Sequence, residues 1–558
     1  MRGKKLLNII LSQILIIKEI NINGNNFFNK KEIFEILKIK ENSEFSKVRL
    51  KSAISRLYSK YYSFGFFNVK INYNYEFLEM GNVVISINID EGKRFYIKEI
   101  QFEGDSLLDT LIRIIPKKLP IAYSDEFVNN FESQVYYLYY NNGFPFVNIL
   151  RDTILESDSL ITIKEKISAG KRIIIKQIKI EGNKKVRDAI FFKEITIKVP
   201  SYFNYNQIIQ SIQRIYSLRL FKSVNYKIEN DSILVFQVVE SPERYLETNF
   251  GFTYPYFLNI SFLIGHLNIF GNVQNLELIT NGLFSWTDNK ILLNDRLISL
   301  NFRERYFLDM KNLFLNSNII YSKTGQIGQI EDYGKIEEIG LNAEILRQFS
   351  NYFYSAFSIL LKNSITLGYE DRRIILTLSQ RVVYDDRNSY LDATKGFVSS
   401  FSISEAFIQA KFIKLNELYS KYFYSFAFRI RMGQIFGSDI PYSEKFFLGG
   451  EGSVRGYLNN SIGETFDNLQ PASNHYINGN FEYRWRFSDF FGITFFYDFA
   501  IVSNEFINLI RNNVYSGYGI GFRFYINFIP IRFDFALNPD SKILPKDLFI
   551  YFSIGQMF

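Results

Sequence analysis

The segment Gly-Tyr-Gly-Ile-Gly-Phe-Arg-Phe, residues 517–524, alternates strictly between large apolar side chains and glycine or arginine. A period of two places successive side chains on opposite faces of a β-strand. Residues 424–433 and 531–535 follow the same rule, with apolar residues opposed to small or charged ones. This contrast suits a strand between lipid and a polar lumen, but a soluble barrel would face its apolar side inward, and one strand does not distinguish the two.

The length of the alternating region helps to decide. It runs from about Arg244 to Phe558, and roughly 315 residues at about 20 per strand and connection give about sixteen strands, enough for a polar interior. No stretch of 18 apolar residues occurs that could cross a bilayer as a helix. We therefore expect residues 244–558 to form an all-β antiparallel transmembrane barrel.

Ahead of this region one phrase occurs three times, with alternating residues that end at Gly-Asn or Gly-Asp. The copies lie at residues 17–25, 97–105 and 175–183. Their spacing of about 80 residues indicates tandem modules. Each copy predicts a short strand that runs into a turn.

Helical periodicity follows each phrase. In the first copy Ser46 is a candidate N-cap, and apolar residues then recur at intervals of three and four. The helices are expected to end at Gly65 and Gly143, because glycine readily adopts the left-handed conformation that ends many helices. Two further strands complete each copy. The order strand, helix, helix, strand, strand predicts an α+β module with helices on one face of a sheet.

Composition limits the classes of function. The chain has 558 residues and no cysteine, which excludes a disulfide framework and a thiolate metal site. The net charge of +8 includes no long basic run, so a solvated surface is favoured over a nucleic-acid partner. Residues 1–16 combine basic and apolar side chains as a secretory signal does, but no small-residue cleavage site follows.

The repeated modules resemble the POTRA domain. The resemblance rests on the order of strands and helices, on G-F-F at 65–67, on G-F-P-F at 143–146, and on the closing E-G-K-R or A-G-K-R at Glu91 and Ala169. It implies three domains, at residues 17–94, 95–172 and 173–241. Such domains would bind extended polypeptide by strand addition at a sheet edge, or would act as spacers between a pore and its partner.

The barrel region resembles the BamA/TamA family of outer-membrane assembly factors. Residues 446–457, F-F-L-G-G-E-G-S-V-R-G-Y, fit the family's F-x-L-G-G and V-R-G-F/Y loop, which here ends in Val454, Arg455, Gly456 and Tyr457. The resemblance implies that the loop enters the lumen and that Arg455 pairs with acidic groups of the wall. Glu482 and Asp498 have the right parity, since each opposes an aromatic face. The family's glycine two places after this aspartate is replaced by Ala500.

Two more stretches carry the resemblance. Asp385, Arg387 and Gly396 match the family's D-x-R to P-T-x-G hairpin, although Ala393 replaces the proline. The segment at the carboxyl end resembles the targeting signal of outer-membrane barrels, in the residues Phe552, Ile554, Gly555 and Phe558. By resemblance, the strand over 548–558 meets the one over 246–254 at a weak lateral seam that opens to add a client strand.

These features imply a barrel in the outer membrane, with the repeats in the periplasm, that folds or translocates unfolded outer-membrane proteins. The expected partners are these clients, the lipid bilayer, and periplasmic chaperones or accessory assembly subunits. No catalysis, cofactor or metal is expected, since only His266 and His475 are present and no G-x-S-x-G occurs. The alternatives are a two-partner-type secretion transporter, which usually has two modules, and a pore, which leaves the repeats unexplained.

Overall fold

The computed structural model describes residues 15–104, 107–157, 159–254, 257–287, 290–324, 335–368, 371–465, 469, 471–526, 529–539 and 548–558. Most of the expected signal segment and Asp105 of the second phrase lie outside these residues. No helix of the described part combines the length and the apolar character needed to cross a membrane.

The repeats contain six α-helices and twelve strands among the described residues. The helices are Lys30–Leu37 (α1), Lys47–Ser63 (α2), Leu108–Ile112 (α3), Asp125–Asn141 (α4), Asp188–Glu194 (α5) and Tyr205–Tyr216 (α6). The strands are Ile16–Asn23 (β1), Lys70–Phe77 (β2), Asn82–Asp90 (β3), Tyr96–Gly104 (β4), Ile121–Ala122 (β5), Asn148–Ser157 (β6), Leu160–Ser168 (β7), Ile174–Ile175 (β8), Gln177–Glu181 (β9), Ser201–Tyr202 (β10), Phe221–Glu229 (β11) and Ile233–Glu240 (β12).

Each repeat has the predicted order of strands and helices. The sheets have the orders β1-β3-β2, β5-β4-β7-β6 and β11-β12-β9, and in each the phrase strand pairs in parallel with the last strand. The two-residue strands β5, β8 and β10 are additions to the predicted pattern. One edge of each sheet is formed by the strand that precedes the last strand of the repeat, namely β2, β6 and β11.

The helix α2 illustrates how local sequence sets the ends of these elements. The Ser46 hydroxyl accepts a hydrogen bond from the Arg49 backbone N–H at 3.4 Å, and the helix stops before Gly65, which has a φ of 87°. Tyr61 is fully buried, but Tyr58 is 43% exposed, although its spacing places it near the apolar face. The smaller Ala53 is buried on this face instead.

The closing E-G-K-R motif has a clear structural role. The buried Glu91 carboxylate accepts two backbone N–H groups just after β1, at 2.8 and 2.9 Å, and the Tyr61 hydroxyl at 2.9 Å. In the third repeat Glu240 accepts three successive backbone N–H groups, those of residues 184–186, at 2.9 to 3.0 Å. A glutamate at this position therefore stabilises the turn that follows the phrase strand.

The second repeat contains a buried acid. Glu165 on β7 is fully buried in a row with Ile163 and Ile167, and its oxygens have no hydrogen-bond partner among the described residues. Burial and the nearby Glu132 raise the pKa of Glu165 to about 7, although Arg151 acts in the opposite direction.

The remaining strands form one closed antiparallel barrel of sixteen strands, as predicted. They are Arg244–Tyr254 (β13), Phe257–His266 (β14), Asn275–Thr287 (β15), Lys290–Glu304 (β16), Leu313–Thr324 (β17), Ile336–Gln348 (β18), Phe353–Thr366 (β19), Asp371–Asp385 (β20), Lys395–Ile408 (β21), Lys411–Phe423 (β22), Phe426–Asp439 (β23), His475–Arg486 (β24), Phe491–Ser503 (β25), Val514–Ile526 (β26), Ile529–Leu537 (β27) and Phe549–Ile554 (β28).

The two faces of the barrel wall differ in the way that a membrane requires. On β26 Tyr518 and Phe522 are 45% and 39% exposed, whereas Arg523 on the opposite face is 1% exposed. On β24 and β25 the carboxylates of Glu482 and Asp498 are buried, and the aromatic residues beside them are not. Apolar side chains therefore face outward, which resolves the question that the alternation left open.

Candidate functional site

The segment between β23 and β24 enters the lumen and places Arg455 against the wall. The Arg455 side chain is fully buried. Its Nε and Nη2 donate to the two oxygens of Asp498, at 2.7 and 2.9 Å, and its Nη1 donates to Glu482 Oε1 at 2.8 Å. The structure thus brings together the arginine and both of the carboxylates expected to pair with it.

A third carboxylate, that of Asp534 on β27, completes the site. It accepts a hydrogen bond from Arg455 Nη1 at 2.8 Å, while the guanidinium lies 3.6 Å from the centroid of the Phe496 ring. Asp534 was not among the predicted partners. The signal was present in its alternation with Phe533 and Phe535, which places it on the lumen face.

Further charges make the cluster nearly neutral. Glu482 also pairs with Arg484 at 2.8 Å, and Asp534 pairs with Arg523 at 2.6 Å. Arg532 pairs with Glu451 of the loop and lies 3.6 Å from Asp534. The four arginines and four carboxylates of this group balance one another, and they are Arg455, Arg484, Arg523, Arg532, Glu451, Glu482, Asp498 and Asp534. Such compensation is needed because an unpaired buried charge costs several kcal/mol.

Glycine on the lumen face allows the loop to lie directly on the wall. A Cβ at Gly517 would come within 1.7 Å of the Arg455 carbonyl oxygen. A Cβ at Gly456 would come within 2.7 Å of the Leu537 backbone, and Gly456 also has a φ of 94°. Val454 is fully buried in an apolar cluster with Ala500, the residue that departs from the family's glycine.

A second ionic contact, not anticipated from the sequence, holds the beginning of the loop. Glu444, in the 3₁₀ turn Tyr442–Glu444, pairs with Lys362 of β19 at 2.7 Å and with Lys414 of β22 at 3.3 Å. Glu338 of β18 also binds Lys362, at 2.7 Å. The loop is therefore anchored to two different groups of strands.

The loop also contacts β28, the last strand of the barrel. The Tyr551 hydroxyl accepts the Gly456 N–H at 3.2 Å and donates to the Tyr457 carbonyl at 3.3 Å. The Ser553 hydroxyl donates to Glu451 at 2.9 Å. These bonds hold the lumen face of β28 from inside the barrel.

The seam between β13 and β28 is short. The two strands pair only where Phe252–Tyr254 meets Ile550–Phe552, whereas β13 and β14 pair from Arg244 through Thr253. Among the described residues, Arg244–Gly251 of β13 pair with no residue of β28. The seam is thus shorter than the one expected over 246–254 and 548–558.

The chain leaves the seam at Gly555. Phe552 and Ile554 lie on β28, where Phe552 pairs with Phe252, but Gly555 has a φ of 93° and donates its N–H to Pro530 at 2.8 Å. Phe558 then lies in the lumen. Its carbonyl accepts Arg484 Nη2 at 3.1 Å and its ring lies 4.7 Å from the Arg429 guanidinium. The expectation that Gly555 and Phe558 line the seam is therefore wrong, because a left-handed glycine redirects the chain.

The predicted hairpin motif meets this inward segment. Arg387 donates to both oxygens of Asp385, at 2.9 and 2.6 Å. Gly396 has a φ of 99°, and a Cβ at this position would come within 2.6 Å of the Asp386 carbonyl oxygen. The same turn provides the Leu391 carbonyl, which accepts the Gln556 N–H at 3.0 Å. The hairpin motif therefore supports the residues that follow β28.

The two histidines have different surroundings. His266 Nδ1 accepts the Asn268 N–H at 3.2 Å next to β14. His475 lies on the outer face of β24, between the rings of Phe436 and Phe506.

These features define a class of protein, the transmembrane β-barrels that follow POTRA repeats and carry a loop in the lumen. The family model described as the Omp85 superfamily domain matches residues 243–558, and the POTRA model, described as a surface antigen variable number repeat, matches residues 15–92 and 173–241. The chain therefore belongs to the Omp85 superfamily and is a member of its BamA/TamA group. Its barrel lies in the outer membrane and its repeats lie in the periplasm.

Two curated relatives and one crystal structure are similar to this chain. The outer membrane protein assembly factor BamA of Nitratidesulfovibrio vulgaris is 22% identical over 89% of this chain and 67% of the relative. The protein of the same name from Buchnera aphidicola is 22% identical over 57% of each chain. The crystal structure of BamA from Haemophilus ducreyi lacking POTRA domains 1–3 has a TM-score of 0.66 at 16% identity, and covers 83% of this chain and 100% of that one. This chain thus shares the fold and spans about six tenths of the length of the curated relatives.

Proposed function

We propose that this protein inserts β-barrel clients into the outer membrane by pairing a client strand with β13 at the lateral seam. Both curated relatives are named assembly factors of the outer membrane. The observation that carries the proposal is the short seam, in which β13 pairs with β28 at Phe252–Tyr254 alone.

The edge of β13 over Arg244–Gly251 has the backbone geometry that strand addition uses. Unpaired N–H and C=O groups along a strand form a template for another strand, and lipid strongly favours their pairing. At about 1 kcal/mol net for each backbone hydrogen bond, opening three residue pairs costs on the order of 3 kcal/mol. A client strand that supplies the same bonds repays this cost, so that insertion requires no nucleotide and no catalytic group.

The lumen loop determines which side of the seam moves. Tyr551 and Ser553 tie β28 to the loop, and Arg455 ties the loop to the wall. In this proposal β28 stays fixed while β13 separates and accepts the client. Charge compensation at Arg455 matters because it keeps the loop in place during this exchange.

The repeats would capture unfolded clients before insertion. The edge strand β6 carries Leu150 and Leu155, which are 61% and 65% exposed. An extended apolar segment added to such an edge gains backbone hydrogen bonds and contacts for alternate side chains. Periplasmic chaperones and accessory subunits would deliver clients to the same edges.

A disulfide across the seam tests the proposal. The chain has no cysteine, so Phe252→Cys with Phe552→Cys introduces a single pair at facing positions. The matched control, Asn249→Cys with Ser261→Cys, joins β13 to β14 and leaves the seam free. In proteoliposomes, oxidation should abolish insertion of an unfolded barrel client by the seam variant and spare the control, and reduction should restore it. Equal insertion by both oxidised variants would exclude a route through the seam.

A further inference from the structure

The connection between β25 and β26, residues 504–513, exposes large apolar side chains at the outer end of the barrel. Ile507 and Ile510 are 80% and 86% exposed, and Phe506, in the 3₁₀ turn Phe506–Asn508, is 50% exposed. Isolated exposed residues are common on protein surfaces, but three within five positions form a patch.

The connection folds over the outside of the wall. The Phe506 ring centroid lies 5.8 Å from that of Phe436 and 5.7 Å from that of His475. Phe436 shares the outward face of β23 with Phe426, and His475 shares the outward face of β24 with Phe481. The patch is therefore continuous with the lipid-facing surface and not with the lumen.

The position of this contact along the barrel matches the outer boundary of the hydrocarbon layer. Phe426 and Phe436 are ten residues apart on β23, and at about 3.4 Å per residue with a tilt of about 40° they are separated by about 26 Å along the membrane normal. The apolar band of such barrels is about 25 Å tall. Phe426 adjoins the exposed Tyr424 at the periplasmic turn, so Phe436 and Phe506 lie at the opposite interface.

The connection is also fixed in this conformation. Leu509 is 3% exposed, so one apolar side chain of the turn points inward while its neighbours point out. The Asn512 amide donates to the Val502 carbonyl at 2.8 Å, and the Asn508 amide donates to Glu505 at 2.6 Å. The isoleucines are thus presented by a closed, hydrogen-bonded turn.

We propose that residues 504–513 anchor the barrel in the outer leaflet, with Ile507 and Ile510 inserted among lipid acyl chains. The geometry favours lipid as the molecule that covers the patch, because Phe506 extends the lipid-facing surface at the outer boundary of the hydrocarbon layer. The adjacent Arg511 is exposed and suits the anionic headgroup region beside an interfacial apolar turn. The anchor would set the height of β25 and β26, close to the seam.

Depth-dependent quenching tests this assignment. Ile507→Cys and Ile510→Cys each place one environment-sensitive fluorophore on the patch, and Asn513→Cys places it on an exposed polar residue of the same connection. Each variant is reconstituted at one copy per phosphatidylcholine nanodisc, after its folding is checked by the gel mobility of the unheated barrel. The nanodiscs carry a nitroxide either near the headgroup or deep in the acyl chain.

The label at either isoleucine should emit at shorter wavelength than the label at position 513. The shallow nitroxide should quench it about twofold more strongly than it quenches the control. Equal quenching at all three positions would overturn the proposal. Blue-shifted emission that is absent at one copy per disc and appears only when discs are loaded with two or more copies would also overturn it, since the patch would then contact a second copy.

Discussion

Replacing Arg455 by alanine removes the guanidinium from a site with three buried carboxylates and tests the loop anchor directly. Glu482 keeps its pair with Arg484 at 2.8 Å, and Asp534 keeps its pair with Arg523 at 2.6 Å. Asp498 loses the only ion pair that it forms among the described residues, and retains the Asn480 amide at 2.9 Å. One buried carboxylate is therefore left uncompensated.

The free-energy cost of the substitution follows from this one uncompensated charge. Leaving one charge of a buried pair without its partner costs about 3–5 kcal/mol. Undocking of the loop lets water reach Asp498 and relieves that cost. At about 1.4 kcal/mol for each factor of ten, the ratio of undocked to docked loop should rise by about two to three and a half orders of magnitude. Arg455→Lys should have an intermediate effect, because an ammonium group cannot match the planar fork of the guanidinium.

A single cysteine reports this equilibrium. Ser453 is 7% exposed beside Arg455, and Ser453→Cys gives the only thiol of the chain. In proteoliposomes its reaction with a bulky maleimide should be slow with Arg455 and much faster with Arg455→Ala. Adding Asp498→Asn to the alanine variant should restore part of the protection, because the orphaned charge is gone. The barrel should still form, and client insertion should fall. Equal reaction rates with arginine and alanine would refute the anchor.

Gly517→Ala should also release the loop, because the new Cβ would come within 1.7 Å of the Arg455 carbonyl oxygen. The docked loop should be destabilised by about 1–3 kcal/mol or more, and the cysteine of Ser453→Cys should be labelled faster. Glu444→Ala should raise the same labelling rate by about tenfold to a hundredfold, since a charged hydrogen bond to Lys362 contributes about 1.5–3 kcal/mol, and an unchanged rate would show that the loop needs one anchor only. The pKa of Glu165 is raised to about 7, so the folded second repeat binds a proton that the unfolded chain releases near pH 4.5. The stabilisation that the protonated Glu165 contributes should therefore be fully present below about pH 4.5 and should be lost, by about 3 kcal/mol, as the pH rises to about 7. Hydrogen exchange of the β7 amides in the full chain measures this slope, and Glu165→Gln should flatten it.

The architecture could be predicted because it depends on local patterns. The alternation at 517–524 needs only the geometry of one strand to predict a polar face, and the repeated phrase needs only its period to predict modules. Glycine on the lumen face of this segment has a physical reason that the pattern did not reveal. At Gly517 the loop backbone lies directly against the strand.

The features of the site that the sequence did not predict depend on contacts between distant segments. Parity placed Asp534 in the lumen but did not give its distance from Arg455, which is set by the order of the strands and the path of the loop. Glu444 lay in the recognised loop region, yet its partners Lys362 and Lys414 are on strands that the motif does not include. The inward turn at Gly555 was not predictable, since glycine permits a positive φ but does not require one.

Capture of a client strand by β13 is the most direct test of the account. Phe250→Cys introduces a cysteine on the outward face of β13, at a position that pairs with no residue of β28 among the described residues. Leu361→Cys introduces one at a matched outward position on β19. The client is a barrel protein arrested during insertion, with one cysteine at a time along its last strand. The client cysteine should form a disulfide with the cysteine at position 250 when it lies directly opposite that position, and also when it lies two residues away on the same face of the strand. Position 361 should form none. Equal cross-linking at both positions, or insertion without any cross-link to β13, would contradict strand addition at the seam.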